Sequence, residues 1–414
     1  MLNFSIPLSG LTAASEALSV ISDNLANLNT VGFKESTASF NDLFYQALGT
    51  NGANDPIQVG EGVALDSVTP KFTGGDIQAT GISTDAAITG NGFFVTSKNG
   101  VQQYTRAGNF TRNSQGELTT QDGQLVMGYP AVNGVISASQ TLAPLVVNQG
   151  QLIPAAPTTA IQAQLNLDAS SAVGTSFSTP LTVFDSLGTS HVLTYQFTKT
   201  SSNVWNYQLS IPAADTGGTG APTVIKAGNL TFNTDGTLAT PTAPVTGIAV
   251  TGLADGAADL NMTWNLQDSN GNALLTQSAA PSATAGTFQN GYGSGTLTDF
   301  TITSDGTIEG SFSNDQTLAL GQIALGNFAN PQGLLRTGAN SYQSTLSSGA
   351  PVIGVAGTGG IGTITGDSLE QSNVDIASEF ANMIITQRGY QANARVVTAF
   401  DTLTQTTINI TQGT

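Results

Sequence analysis

The chain has 414 residues, with 10 Lys plus Arg against 27 Asp plus Glu and a formal net charge of -17. That length exceeds one ordinary core and sets an expectation of two or three domains. With only 9% charged residues, the surface must be built largely from Thr, Ser, Asn, Gln and Gly, and no basic stretch offers a phosphate-binding stripe, which excludes a nucleic-acid partner.

No window approaches the run of about 18 apolar residues that a membrane span needs, so no membrane insertion is expected. The absence of Cys fits a thiol-free family or an extracellular chain that never relied on disulfides. The first residues, MLNFSIPLSGLTAASEAL, lack a basic n-region, are interrupted by Pro7 and Gly10 and carry Glu16. No ordinary cleaved leader is expected from them.

In chain order, apolar residues first fall at Leu11, Ala14, Leu18, Ile21, Leu25 and Leu28. Steps of three and four alternate, which predicts a helix with a heptad seam. Ser9 or Thr12 is placed to cap its start and Gly32 to stop it. The middle of the chain is β territory: short apolar strands alternate with Asn-Gly, Gln-Gly and Asp-Gly turns. Strands are expected at 180–185, 190–198 and 203–211, and turns at Thr234-Asp235-Gly236 and Ser304-Asp305-Gly306, with no fixed repeat period.

The last segment, Ser372 to Ile410, predicts a second helix about 50 Å long. Ser372 or Asn373 is its expected N-cap, with Asp375 near the positive helix end. Ile376, Phe380, Met383, Tyr390, Ala394 and Val397 form its stripe; Val396, Phe400, Leu403 and Ile410 continue it with drift. Gly389 costs about 1 kcal/mol relative to Ala inside that helix.

These readings give a mixed, multidomain fold. The ends, 1–33 and 367–414, pair as helices of a coiled coil. Segments 34–75 and 348–366 are extended linkers or hinges, with Gly357, Gly359, Gly360 and Gly362 as hinge residues. A discontinuous β domain comprises 76–150 and 286–347, and a second β domain, 151–285, is inserted in it.

Nothing in the spacing points to catalysis, a cofactor or a metal. His191 is the only His and reads as an ordinary strand residue; Cys/His chemistry and the usual zinc sets need more. Asp268-Ser-Asn270-Gly271-Asn272 has its Gly at the wrong position for a calcium loop and reads as a hairpin turn. Gly357-Thr-Gly359-Gly360-Ile-Gly362 matches G-x-G-x-x-G, but no helix follows to present amides to a pyrophosphate.

Two bare apolar stripes at the ends of one chain need cover, because an isolated helix of such length is marginal in water. They can pair with each other. A rim such as Phe40, Phe44, Tyr45 and Tyr390 then remains, and copies of the same chain can supply the rest; contacts between different faces of identical subunits that do not close produce helical filaments. An intramolecular coiled-coil stalk is the alternative.

The motif NLANLNTVGFK, with Asn24, Asn27, Thr30, Gly32 and Phe33, resembles the N-terminal signature of the bacterial flagellar rod and hook axial proteins. SNVDIASEFANMIITQRGYQANARVV resembles their C-terminal signature, with Ser372, Asn373, Val374, Phe380, Met383, Ile384, Gln387, Arg388, Tyr390, Asn393 and Ala394 at the expected places. GNGFFVTSKNGVQQYTRAGNFTRNSQGELTTQDGQLVMGYP resembles the β segment that family shares. LTVFDSLGTSHVLTYQFTKTSSNVWNYQL is similar to the outer domain of the hook members, which the shorter rod members lack.

The resemblance implies a subunit that self-assembles into a curved helical tube, a universal joint between rod and filament. It implies type III export, and as partners the chain itself, the rod, the hook–filament junction proteins and the hook cap. The residues it places in self-assembly helices are Leu11, Leu18, Ile21, Asn24, Leu25, Asn27, Leu28, Phe380, Met383, Ile384, Gln387, Tyr390, Ala394 and Val397, with Thr30, Gly32 and Phe33 in a signature turn. A distal rod subunit is the first alternative. The second is a secreted β-rich adhesin or glycan binder, against which Trp205 and Trp264 read as core residues of the inserted domain.

Overall fold

A computed structural model describes residues 4–50, 56–137 and 141–412. The chain is mostly β, with one long helix near each end. It divides into two compact units: residues 1–148, 299–310 and 317–414 form the first, and residues 149–298 and 311–316 the second.

In the first unit, α1 spans Ser5–Ala26. It starts earlier than the heptad suggests, because Pro7 sits in the first turn, where its missing N–H has no partner to lose. Ser9 and Thr12 are therefore inside the helix and bond back to the carbonyls of Ile6 and Leu8 rather than capping it. The helix ends at Ala26, before Gly32, and a hydrogen-bonded turn fills the gap.

The segment expected as an extended linker, 34–75, instead folds into a long antiparallel hairpin. Ser36–Asp42 pairs with Val63–Pro70, and Tyr45–Thr50 pairs with Pro56–Gly60. Beyond it lies the main sheet of this unit, containing Phe93–Lys98, Val101–Thr105, Leu125–Val132, Thr317–Asn327, Ser341–Gln343 and Val352–Val355. Asn99 and Gly100 both have positive φ, at 52° and 81°, the conformation a two-residue hairpin turn demands. Phe93, Val95, Tyr104, Phe328 and Tyr342 are buried together as a core.

The returning chain is held by ladders as well. Thr363–Gly366 pairs with Ala86–Thr89, and Ser368–Glu370 pairs with Ile77–Ala79. The glycines read as a hinge lie between two paired strands. Gly357 donates to Gly362, Gly362 donates to the Asn91 carbonyl, and a Cβ on Gly362 would lie 2.2 Å from the Thr89 carbonyl oxygen. This is a pinned turn, not a free hinge, since Gly is needed here for close backbone approach.

The second helix, α2, spans Ile376–Gln412. Its N-cap is Asp375, whose Oδ1 accepts the Ser378 amide at 2.8 Å; Ser372 and Asn373 do not cap it. That bond holds the Asp375 carboxyl below its usual pKa.

The second unit contains two five-stranded sheets. Ser176–Phe184, Ser190–Ser201, Val204–Ile211, Thr223–Phe232 and Leu238–Thr240 form an antiparallel meander. Ala160–Asp168 runs parallel to Leu260–Asn265 and Leu275–Ser278, and antiparallel to Ala283–Gln289. The last pairing puts 286–289 in this unit, so the boundary expected at 286 falls inside a strand. Alternating inward residues of both sheets share one core. Trp205 and Trp264 are fully buried in it, with the Trp264 ring 5.0 Å from Tyr195 and 5.3 Å from Tyr207. Neither indole is a surface platform for a sugar.

Candidate self-assembly surface and the clasp that positions it

The two helices run antiparallel. Phe4 meets Phe400 edge-on, with ring centroids 5.7 Å apart, and Gly10 packs against Asn393 so closely that a Cβ would lie 2.7 Å from its amide nitrogen. On α1, Leu11, Leu18 and Leu25 are half-buried and Ile21 is buried; Leu28, in the turn just after it, is half-buried. On α2, Glu379 is buried and Met383, Thr386, Asn393, Ala394, Val397, Phe400 and Thr404 are half-buried. Apart from the adjacent pair Asn393 and Ala394, they recur at steps of three, four or seven, a heptad face, with Glu379, Thr386, Asn393 and Thr404 interrupting its apolar residues.

The stripe expected on α2 is thus divided. Met383, Ala394 and Val397 lie on the sheltered face, whereas Phe380 and Tyr390 do not. Phe380 is 52% exposed, Ile384 51%, Tyr390 42%, Leu403 53% and Ile410 66%; Gln387 is also exposed. Phe40, Phe44 and Tyr45 are exposed as well, Phe44 at 91%.

Residues expected in the self-assembly helices and in the signature turn make contacts within the chain. Asn24 is buried; its amide donates to the Ser36 carbonyl and its oxygen accepts the Ser36 amide, both at 2.9 Å. Asn27 donates to the Asp23 carbonyl and accepts the Thr30 hydroxyl, closing the turn. Gly32 has φ 68° and abuts the backbone of Arg106 and Ala107, where a Cβ would lie 2.6 Å away; its amide donates to the Glu370 carbonyl at 2.8 Å. Phe33 is buried beneath the Arg336 guanidinium.

Next to this turn is a buried ionic clasp that the sequence reading missed. Lys34 Nζ donates to Glu370 Oε1 at 2.6 Å and to the Thr73 carbonyl at 2.8 Å. Arg106 approaches Glu370 Oε2 at 3.4 Å and donates to the Gly90 carbonyl at 2.8 Å. The Gly75 amide also donates to Glu370. Burial lowers the pKa of Lys34 and of Arg106, against the raising pull of Glu370. Asn373, which was read as a cap, accepts the Glu35 amide at 2.7 Å and donates to the Lys71 carbonyl at 2.9 Å. Residues near 34, 72, 106 and 372 are therefore tied at one point, from which both helices leave. The only hint in the sequence is that, in a chain this poor in charge, Lys34 directly follows the signature turn.

The Glu379 carboxyl is desolvated at the α1–α2 junction, which raises its pKa, and its Oε2 has no hydrogen-bond partner among the described residues. An open cleft of about 400 Å³ borders the turn, lined by residues including Asn27, Thr30, Asn109, Asp122 and Asn340. Among the described residues no helix is long and apolar enough to cross a membrane.

Comparison with known proteins first defines a class. Residues 6–34 match the flagella basal body rod protein family, and residues 366–410 match the flagellar basal body rod FlgEFG protein C-terminal family. Residues 87–170 match the flagellar hook protein FlgE/F/G D1 domain, and residues 151–292 the flagellar basal body protein FlaE D2 domain. Two terminal helices clasped at their roots, carried with β units of these kinds, define a flagellar axial protein.

Whole-chain relatives narrow the class. The flagellar hook protein FlgE of Escherichia coli K12 is 37% identical, over 98% of this chain and 99% of the relative. That of Salmonella typhimurium LT2 is 36% identical over 99% and 100%, and that of Treponema pallidum 32% over 97% and 98%. The chain belongs to the flagellar hook protein FlgE family, and its function is that of a structural subunit of the flagellar hook. The fold also resembles that of a Helicobacter pylori flagellar hook protein FlgE2 crystal structure, with a TM-score of 0.55 at 16% identity over 71% of this chain and 100% of that one. The relatives are structural proteins rather than enzymes, and the rod-subunit and adhesin readings give way.

Proposed function

We propose that this chain polymerises with copies of itself into a curved helical tube that acts as a universal joint, passing motor torque from rod to filament. One observation carries the reading: α1 shelters only one face of α2. Phe380, Ile384, Leu403 and Ile410 remain exposed on a single chain, and a row of apolar groups on a long helix gains about 25 cal/mol per Å² when covered. Neighbouring copies are the proposed cover, in heterologous contacts that need not close.

In this reading α1 and α2 act as a coiled-coil pair lining the inner wall of the tube. The 149–298 segment is an inserted outer domain whose polar, charge-poor surface exchanges water and slides cheaply as the tube bends. Partners follow from the family: the rod at one end, hook–filament junction proteins at the other, the cap during growth and the type III export apparatus, which takes the subunit outside the cell.

The test is assembly by the purified full chain and by Phe380→Asp/Ile384→Asp. The parent is expected to form curved tubes in electron micrographs. The double variant is expected to stay soluble and unassembled, with an unchanged melting transition for its β units. Tubes of normal length from the double variant, or straight rods from the parent, would refute the reading.

A further inference from the structure

We propose that the second unit holds a divalent first-row transition cation, zinc foremost, between His191 Nε2 and the carboxylates of Asp185 and Asp255. These three residues each offer one donor atom, and the atoms lie within 4.8 Å of one another. The site is separate from the helical surface described above and does not depend on polymerisation.

The chain places the groups by topology. Asp185 follows strand Ser176–Phe184 and His191 opens strand Ser190–Ser201, so one tight turn brings them to the same end of the meander. Asp215 lies in the 3₁₀ turn Ala213–Thr216, and Asp255 lies between strands Val245–Val250 and Leu260–Asn265. These loops are already joined: Ala254 N–H donates to the Asp215 carbonyl, and Ala258 N–H to the Ser186 hydroxyl, each at 2.9 Å.

Asp185 and Asp255 each commit one oxygen to backbone amides. Asp185 Oδ1 accepts the Leu187 and Thr189 amides at 2.8 and 2.9 Å, and Asp255 Oδ1 accepts the Ala257 amide at 3.1 Å. Asp185 Oδ2 stands 3.1 Å from His191 Nε2, while His191 Nδ1 stands 3.1 Å from Asp215 Oδ2. Asp185 is fully buried and His191 nearly so.

A neutral imidazole has one N–H and one lone pair. If Nδ1–H donates to Asp215, the Nε2 lone pair faces the Asp185 oxygen with Asp255 beside it, so three electron-rich atoms converge. Without a metal, a ring protonated at both nitrogens would bridge Asp185 and Asp215: burial lowers the His191 pKa, but its hydrogen bonds to those two carboxylates outweigh that and raise it. A cation at Nε2 would take the place of that proton and draw in Asp255 as well.

Ligands about 2.0–2.1 Å from a tetrahedral zinc stand about 3.3 Å apart, close to the 3.1 Å between Nε2 and Asp185 Oδ2; the Asp255 oxygen lies within 4.8 Å of both and would close in on the ion. Asp215 then orients the ring by accepting its other N–H, as carboxylates commonly do behind metal-bound histidines. A nitrogen ligand argues against calcium and magnesium, which prefer oxygen. Asp255 is exposed, leaving water access to a fourth position. The role is structural, a staple across three loops.

The experiment uses the untagged full chain, stripped with a chelator and titrated with zinc alone. His191 is the only His, so the nitrogen-15 signals of one imidazole read its tautomer without assignment. One equivalent of zinc is expected to bind, to shift the Nε2 resonance and to raise the melting temperature. Asp255→Asn, at an exposed position, should weaken binding at least tenfold; His191→Gln should abolish binding. A ring with both nitrogens protonated that does not respond to millimolar zinc would overturn the proposal, and so would Asp255→Asn binding zinc as tightly as the parent.

Discussion

Asn24 reads both backbone groups of Ser36, giving a hydrogen bond to its carbonyl and taking one from its amide, each 2.9 Å long. Ser36 stands opposite Pro70 in its ladder, and a proline has no N–H to give. The carboxamide thus supplies the end of the hairpin with a donor while fixing the last turn of α1 against it. Asn24→Ala leaves two buried backbone groups unmatched and should cost about 2 kcal/mol, read as a lower denaturant midpoint. Asn24→Asp should cost a similar amount, because a carboxylate cannot donate to Ser36; unchanged midpoints would remove the clamp from the account.

The clasp gives a larger effect. Lys34 and Glu370 are both essentially inaccessible to solvent, so Glu370→Gln strands two buried cations and should cost about 3–5 kcal/mol. Lys34→Met/Glu370→Met, which removes a charge of each sign, should be less damaging than the sum of its singles. Additive losses in urea titration would show that the two groups do not act together.

Glu379 sets a pH dependence. Its folded pKa is raised by burial at the α1–α2 junction, with Glu35 adding in the same direction and the Asn24 hydrogen bond opposing. The stability it contributes is fully present below its unfolded pKa and is lost as pH rises through the folded value. Helix content and resistance of the ends to proteolysis should therefore decline from acid toward neutral pH. Glu379→Gln should flatten that profile; an equal slope in the variant would place the dependence elsewhere.

Gly362 tests the pinned turn. A Cβ there meets the Thr89 carbonyl oxygen at 2.2 Å and that of Asn91 at 3.0 Å, both backbone atoms that cannot swing away. Gly362→Ala should destabilise the first unit by about 1–3 kcal/mol. Gly359→Ala meets no nearby atom and carries only the strain of a positive φ of 58°, so it should melt closer to the parent. The reverse ranking in a thermal scan would favour a free hinge over a pinned turn.

The sequence alone determined the things that depend on neighbours along the chain: the two terminal helices from their heptads, the strands of the meander from alternation, the turns from Asn-Gly and Asp-Gly pairs, and the family from its two end motifs. The tertiary structure alone decided which residues of each stripe are sheltered. Met383 and Phe380 look alike in a heptad, but only the antiparallel placement of α1 distinguishes them. It also decided that Asn24, Asn373 and Gly32 serve an internal clasp, that 34–75 is a paired hairpin, and that His191 meets three aspartates. Those outcomes rest on contacts between residues far apart in sequence: Lys34 and Glu370 are separated by 336 positions. A periodic pattern reports which side of an element is apolar, whereas the partner of a buried charge is fixed only when distant segments are brought together.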